Sequence, residues 1–296
     1  MTGAEHFAAP PNWQWWILSY FFFGGIAGGS YAIGTLISLV GTAADQRAAR
    51  LAFLISFLAL IPCPIFLIAD LGLPGRFFNM LYDASDGGLA LKAVSPMSLG
   101  SYALLGFGLF SFGSFLAALA EGGTHALDPF ANLLRGTVGA VWSVIGTGLG
   151  FFVAGYTGVL LAVSNQPVWS DAGWVLGGLF LASGLAGSAA LLLALTHWRR
   201  AADVETTTRL VAADRNFAIL EAILLLLFLG SLGLADTIGK LLGAWVLLWA
   251  VVLIGLATPF LMSRFNMGRR WPAAGPLVAL LGVLALRALV VFGAQS

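Results

Sequence analysis

The residues of this chain best suited to chemistry lie together in Asp70-Leu71-Gly72-Leu73-Pro74-Gly75-Arg76-Phe77-Phe78-Asn79. A long apolar run, about Arg50 to Ala69, ends there in a polar loop. A carboxyl, a turn that breaks the helix, a guanidinium and an amide are thereby set at one boundary between apolar chain and water. Desolvation at such a boundary brings a carboxyl towards the range in which it exchanges protons near neutrality. Asp70 is the candidate proton acceptor, and Arg76 the charge that would tune it. The same residues also allow a plainer arrangement, an Asp70–Arg76 ion pair that fastens the helix end.

The elements that must position this loop are membrane helices. The chain is 59% hydrophobic and 9% charged, against about 25% charged in an ordinary soluble domain. Eight apolar runs, at roughly 15–40, 48–70, 97–120, 137–163, 173–197, 216–235, 240–262 and 274–294, approach or exceed the ~20 residues a helix needs to cross a bilayer. Backbone groups in hydrocarbon must pair internally, and runs of this length exclude a barrel. The expected fold is an all-α polytopic membrane protein, one integral domain over 1–296. Spans 1–4 (about 15–163) and 5–8 (about 173–294) are expected as two four-helix bundles.

Lys and Arg set the expected orientation. Loops after odd-numbered spans carry Arg47, Arg50, Arg135, Arg199, Arg200, Arg209, Arg215, Arg264, Arg269 and Arg270. The other side carries only Arg76, Lys92 and Lys240, while Arg287 lies inside the last span. Both termini and the Asp70–Asn79 loop are therefore expected outside, which is the periplasm if the source is a Gram-negative bacterium, with the chain multi-pass in the bacterial cytoplasmic (inner) membrane. No cleavable signal peptide is expected, because no Lys or Arg precedes the first span.

Several classes are excluded by what is scarce. One cysteine, Cys63, cannot hold an iron–sulfur cluster; between Pro62 and Pro64 it reads as a small core residue. His6, His125 and His197 lie outside the spans or at their ends, where they cannot serve as axial ligands of a transmembrane haem. No nucleotide loop, metal-ligand cluster or Ser/His/Asp set is present, and no nucleic-acid partner is expected.

Along the chain, Trp13, Trp15 and Trp16 form an interfacial aromatic group. Gly24-Gly25-Ile26-Ala27-Gly28-Gly29 follows, with glycines four apart that let helices approach closely or make room for a flat ligand. Gly184-Leu185-Ala186-Gly187 is a fainter echo in span 5. Pro62 and Pro64 predict a kink before Asp70. The 70–96 connection is long, with turn signals at Pro74-Gly75 and Asp86-Gly87-Gly88; its aromatic residues suit a packed lid or a docking surface. Ser95-Pro96 predicts an N-cap with Pro at the first helical position. Tyr156 lies roughly 12 Å below the turn at Ser164, at 1.5 Å per residue. The start of span 1 and the ends of spans 2 and 4 share one face, so Tyr20, Asp70, Arg76, Asn79 and Tyr156 are expected to converge.

That set suits a quinone. Such a site needs a flat apolar slot open to lipid, hydrogen-bonding groups at the quinone oxygens, and a proton-exchanging side chain. Tyr20 and Tyr156 fit the second need and Asp70 the third, while Gly72 and Gly75 would let the ring approach the backbone. Two ionisable groups lie elsewhere in apolar helices, Glu221 and Arg287. A mid-membrane charge costs about 2.5–3.5 kcal/mol on insertion scales. They are candidates for a proton path, and would serve the rival class, a proton or solute transporter or channel. The alternative is structural, with Arg287 tied to helix-end carbonyls and Glu221 paired with Arg215 or snorkelling.

The combination Trp13-x-Trp15, Gly24–Gly29, Asp70-Leu71-Gly72-x-Pro74-x-Arg76-Phe77-x-Asn79-Met80-Leu81, Ser95-Pro96-Met97-Ser98, Tyr156-Thr157-Gly158-Val159-Leu160-Leu161 and Leu286 to Gln295 resembles the NrfD/polysulfide-reductase membrane-subunit family. The resemblance implies an eight-helix quinone-reactive anchor without haem, with its pocket in the first four helices near the outer face. It further implies menaquinone or ubiquinone as redox partner, and a ferredoxin-like iron–sulfur subunit on the outer face. That subunit would serve a molybdopterin or other catalytic subunit, so this chain would be a non-autonomous part of the complex. The loop motif maps onto Asp70, Gly72, Pro74, Arg76 and Asn79, and the span-4 tyrosine onto Tyr156. The chain departs from the pattern at Ile17 and Tyr20, where some members carry Asn and His, and at Gly75, where many carry Glu. Proton handling is thereby concentrated on Asp70.

Overall fold

The computed structural model describes residues 12–83, 87–92, 95–199, 201–243, 245–265 and 274–295. His6, Asp86, Arg200, Arg269 and Arg270 of the sequence reading lie outside the described residues. In chain order the helices are α1 (Trp15–Val40), α2 (Gln46–Leu60), α3 (Pro62–Asp70), α4 (Pro96–Glu121), the short α5 (Asp128–Leu133), α6 (Gly136–Ala162), α7 (Gly173–Trp198), α8 (Val204–Leu234), the short α9 (Gly239–Leu242), α10 (Val246–Phe265) and α11 (Ala274–Gly293). Counting α2 and α3 as one bent span, eight are long and apolar enough to cross a membrane. The chain is a multi-pass α-helical membrane protein.

The predicted bend is a break at Ile61, where Pro62 and Pro64 cannot donate to the carbonyls one turn back. Between α3 and α4 the chain forms a 3-10 turn, Pro74–Met80, and a minimal ladder pairing β1 (Tyr82–Asp83) with β2 (Gly88–Leu89). Ser95 caps α4, its side chain accepting from the Ser98 amide at 3.4 Å, with Pro96 at the first position.

Helix α1 is the central element, packed on α2, α3, α6, α7 and α11. Its glycines explain how. A Cβ on Gly28 would stand 2.2 Å from the Gly150 carbonyl oxygen, and one on Gly29 2.6 Å from that of Gly184. One on Gly184 would stand 2.9 Å from the carbonyl of Gly25. The repeated small residues are therefore a close-packing seam between α1, α6 and α7, the first of the two readings the sequence allowed.

The two described chain ends meet. Gln295 accepts from the Trp13 amide at 2.7 Å and donates to the Trp13 carbonyl at 3.1 Å. Trp169, fully buried in the turn before α7, stacks on Trp13 and donates to the Val290 carbonyl at 2.7 Å. We call this the terminal end of the bundle.

At the opposite, arginine-rich end, Asp45 joins the α1–α2 corner to α8. It accepts from the Thr42 amide (2.8 Å), the Thr206 hydroxyl and Arg209 (2.8 Å). The Thr206 hydroxyl above all, then the Thr42 amide, hold the Asp45 carboxyl below the usual carboxylate range. Unfolded aspartate titrates near 3.9, so this stabilisation is fully present above about pH 4 and is lost as pH falls through the lower folded-state value. Melting curves in detergent should show the wild type losing stability below about pH 4. An Asp45→Asn variant should be less stable at neutral pH and should show a smaller acid drop; equal acid drops would remove Asp45 from the network.

Span 6 departs from its expected bounds. It starts at Val204 rather than near 216, because Asp203 accepts from the Thr206 amide at 2.7 Å and Glu205 pairs with Arg209 one turn on. Hydropathy alone sees none of this in the charged first turns. Glu221 thus lies about 26 Å along α8, at 1.5 Å per residue, not a turn and a half inside its start. Span 7 likewise begins at Val246, the residues near 240 forming the separate α9.

Candidate functional site

Asp70 is the last residue of α3 and is half-buried. The following loop is open. Gly72, Pro74, Gly75, Arg76 and Asn79 are all exposed, and a Cβ on Gly72 or Gly75 would meet nothing within 4 Å. Among the described residues Asp70 has no ion-pair or hydrogen-bond partner, so the Asp70–Arg76 fastener is not formed. The carboxyl, the Arg76 guanidinium and the Asn79 amide are instead three separate polar groups around one loop.

The two tyrosines lie deeper and among the helices. Tyr20 is 2% exposed and within electrostatic reach of Cys63 and Tyr156. Cys63 precedes Asp70 by seven residues of α3, so Tyr20 lies about 10 Å deeper than Asp70, at 1.5 Å per residue. Tyr156 stacks on Phe152 and donates its proton to the Pro96 carbonyl at 2.6 Å, which secures the start of α4. Gly100 admits the ring, since a Cβ there would stand 2.4 Å from it. The hydroxyl oxygen of Tyr156 still has a lone pair to offer. Tyr20 and Tyr156 come together, and the loop residues come together, but no hydrogen bond joins the two groups among the described residues.

Beside the loop is a feature the sequence reading missed. A cleft of about 820 Å³ runs between α2–α3 and α4. Phe57, Leu60, Leu67, Ile68, Leu105 and Leu109 give it apolar walls, and Leu71, Phe77, Met80 and Leu81 of the motif loop close its terminal end. Ile61, Leu105, Leu109 and Phe112 are each at least 43% exposed, so the long side faces lipid. Its polar contributors, Ser101 and Tyr102, are both near the loop. Tyr102 donates to the Leu81 carbonyl at 2.6 Å and ties the loop to α4. Its signal in sequence was weak: an isolated tyrosine about two turns into an otherwise apolar span. Chemically, the cleft can admit a long apolar molecule from the bilayer, and its terminal end is closed by the loop that also bears Arg76 and Asn79 and follows Asp70, although none of these three lines the cleft itself.

Glu221 and Arg287 sit elsewhere, on α8 and α11. Arg287 is wholly buried and donates to the carbonyls of Phe21 and, at 2.7 Å, Phe180, with its guanidinium 4.9 Å from the Phe180 ring centre. Gly25 makes its room: a Cβ there would stand 2.4 Å from the guanidinium. Glu221 faces Ser183 and Arg287 and forms no ion pair with Arg215.

Compared with known proteins, residues 5–296 match the family described as polysulphide reductase, NrfD. A selenate reductase subunit from Mesobacillus selenatarsenatis is 31% identical over 70 residues, which is 24% of this chain and 16% of that protein's length.

Proposed function

This chain belongs to the NrfD polysulphide reductase family, and from that premise we propose that it is the quinone-reactive membrane anchor of a respiratory oxidoreductase. The observation that carries the reading is the lipid-open apolar cleft closed by the same loop that bears Asp70, Arg76 and Asn79. About 820 Å³ is within the range of sites that enclose most of a small ligand, and its mostly apolar lining suits a ligand with an apolar tail left towards lipid.

When bound, menaquinol or ubiquinol supplies two electrons and two protons. The chain's own residues do the rest. Asp70, without a partner, accepts a proton at its carboxyl and returns it to water at the loop. Arg76 and Asn79, exposed on the loop, would be the N–H donors for a bound quinone, and the open backbone at Gly72, Pro74 and Gly75 would leave room for it. Tyr156 holds the start of α4 in place, while Tyr20 lies buried behind α3 and, like Tyr156, outside the lining of the cleft. The arginine asymmetry supports placing the terminal end outside.

Electrons leave to a partner. Leu73 (62% exposed), Phe78 (49%), Leu89 (75%) and Leu91 (53%) surround the site on a loop otherwise fit for water. An apolar patch of this kind suits a protein interface, and the ferredoxin-like iron–sulfur subunit docks there, carrying electrons to or from a molybdopterin or other catalytic subunit. The similar selenate reductase protein is by name one part of a multi-subunit reductase, which favours this class of assembly. Gentle detergent extraction should recover a cysteine-rich ferredoxin-like protein with this chain. Changing Phe78 and Leu89 to Ser should release it while the membrane chain stays folded. An intact preparation without such a partner would contradict the reading.

A further inference from the structure

Away from the cleft, α7, α8, α10 and α11 enclose a small cavity that the sequence reading did not anticipate. It is lined by Asp214 and Glu221 of α8, Gly255 and Pro259 of α10, and Gly282 of α11, among apolar neighbours. Its volume is about 10 Å³, room for about one water. Asp214 is 3% exposed and Glu221 5%. They are seven residues apart, two turns on one helix face, about 10 Å along the axis. Both side chains line the same cavity, and the two lie within electrostatic reach of each other.

The surroundings leave polar atoms waiting for a partner. Oδ1 of Asp214, Oγ of Ser183 and Nε of Arg287 are buried without a hydrogen bond. Ser183 lies close to Glu221 but short of hydrogen-bond geometry. Pro259, inside α10, has no N–H to give the Gly255 carbonyl one turn back, so that oxygen also lacks its helical donor at the cavity wall.

Charge then decides the contents. Among the described residues, no other ionisable side chain lines the cavity. From α11 the facing charge is Arg287, also within reach of Glu221. From α7 and α10 the ionisable residues His197 and Arg264 are exposed in the last helical turns. On α8 itself, Arg215 makes no ion pair among the described residues, and Arg209 is already paired with Asp45 and Glu205. Two carboxylates against one guanidinium leave one uncompensated negative charge in a buried compartment, a costly state.

We propose that α8, α10 and α11 enclose a proton-holding site, in which Asp214 and Glu221 together carry one exchangeable proton opposite the Arg287 guanidinium. In the exchange, the O–H bond of Asp214 breaks as its proton passes to a water in the cavity. That water gives one of its own protons to a Glu221 carboxylate oxygen. Asp214 is left as carboxylate, Glu221 as acid, and the water unchanged. Asp214 lies nearer the arginine-rich end and Glu221 nearer Arg287, so the step moves charge across the membrane's interior. The site stands apart from the quinone reading and needs no quinone to be tested.

Infrared spectroscopy of the purified chain in lipid nanodiscs at pH 7.5 reads the carbonyl band of a protonated carboxyl directly. With Asp70→Asn as background, one such band is expected. Asp214→Asn and Glu221→Gln should each abolish it, because the remaining carboxylate then balances Arg287. Arg287→Met should raise the intensity about twofold. No protonated-carboxyl band in the background protein overturns the proposal, whether or not the further variants fold. So does a band that survives both single substitutions, or one displaced by sodium, which would mark a metal-cation site instead.

Discussion

Replacing Asp70 with Asn is expected to lower quinone-linked turnover roughly 100-fold or more while assembled protein in the membrane stays at the wild-type level. A positioned general acid or base contributes on the order of 10² to 10⁴ in rate, and Asp70 is the carboxyl in the motif loop that closes the cleft. The structural side of this expectation is equally definite. Asp70 is half-buried at the end of α3 and makes no ion pair among the described residues, so an amide of the same shape removes none of the contacts described. Turnover in membranes with an artificial quinol, set against the amount of chain detected, separates the two effects. Full turnover in the variant would remove Asp70 from the mechanism. Loss of protein in proportion to activity would assign it a structural role.

The largest structural effect is expected from Gly28→Ala. The added methyl would meet the backbone carbonyl of Gly150 at 2.2 Å and Ala154 at 3.2 Å. A backbone oxygen has no rotamer by which to withdraw, so α1 and α6 must separate. Overpacking of this kind costs typically 1–3 kcal/mol, and here it acts on the central helix. Gly24→Ala, four residues earlier in the same motif, is the internal control. Its methyl would find Val153, Tyr20 and Cys63 at 3.7–4.0 Å, ordinary contact distances. Thermal unfolding in detergent should show a clear loss for Gly28→Ala and little change for Gly24→Ala. Equal effects would contradict the seam described for α1.

The helix count, the break at Pro62, the cap at Ser95 and the lipid-facing class were all legible in composition and punctuation, because each is set by local chemistry. The glycine motif was legible as a motif but not in its use. Only the packed helices reveal that Gly25 houses a guanidinium and Gly28 a carbonyl. The start of α8 was misplaced because Asp203, Thr206 and Glu205 stabilise charged turns outside the apolar run, and a hydropathy window discards them. Asp214 was lost with them. The separation of the Tyr20–Tyr156 pair from the Asp70 loop also depends on helix rotation, which topology alone leaves open. The cleft and Tyr102 depend on how α3 leans from α4, a property of the bend at Ile61 and of no single residue.

The central claim is that a quinone occupies the cleft beneath the Asp70 loop. The most direct test is saturable photolabelling of the purified complex in lipid nanodiscs with a photoreactive quinone analogue, followed by peptide mapping. The account predicts adducts on α3, α4 and the 71–81 loop, displaced by excess menaquinone or ubiquinone and lost when Leu105→Trp fills the cleft. Saturable labelling confined to α7–α11, or none that natural quinones displace, would contradict it.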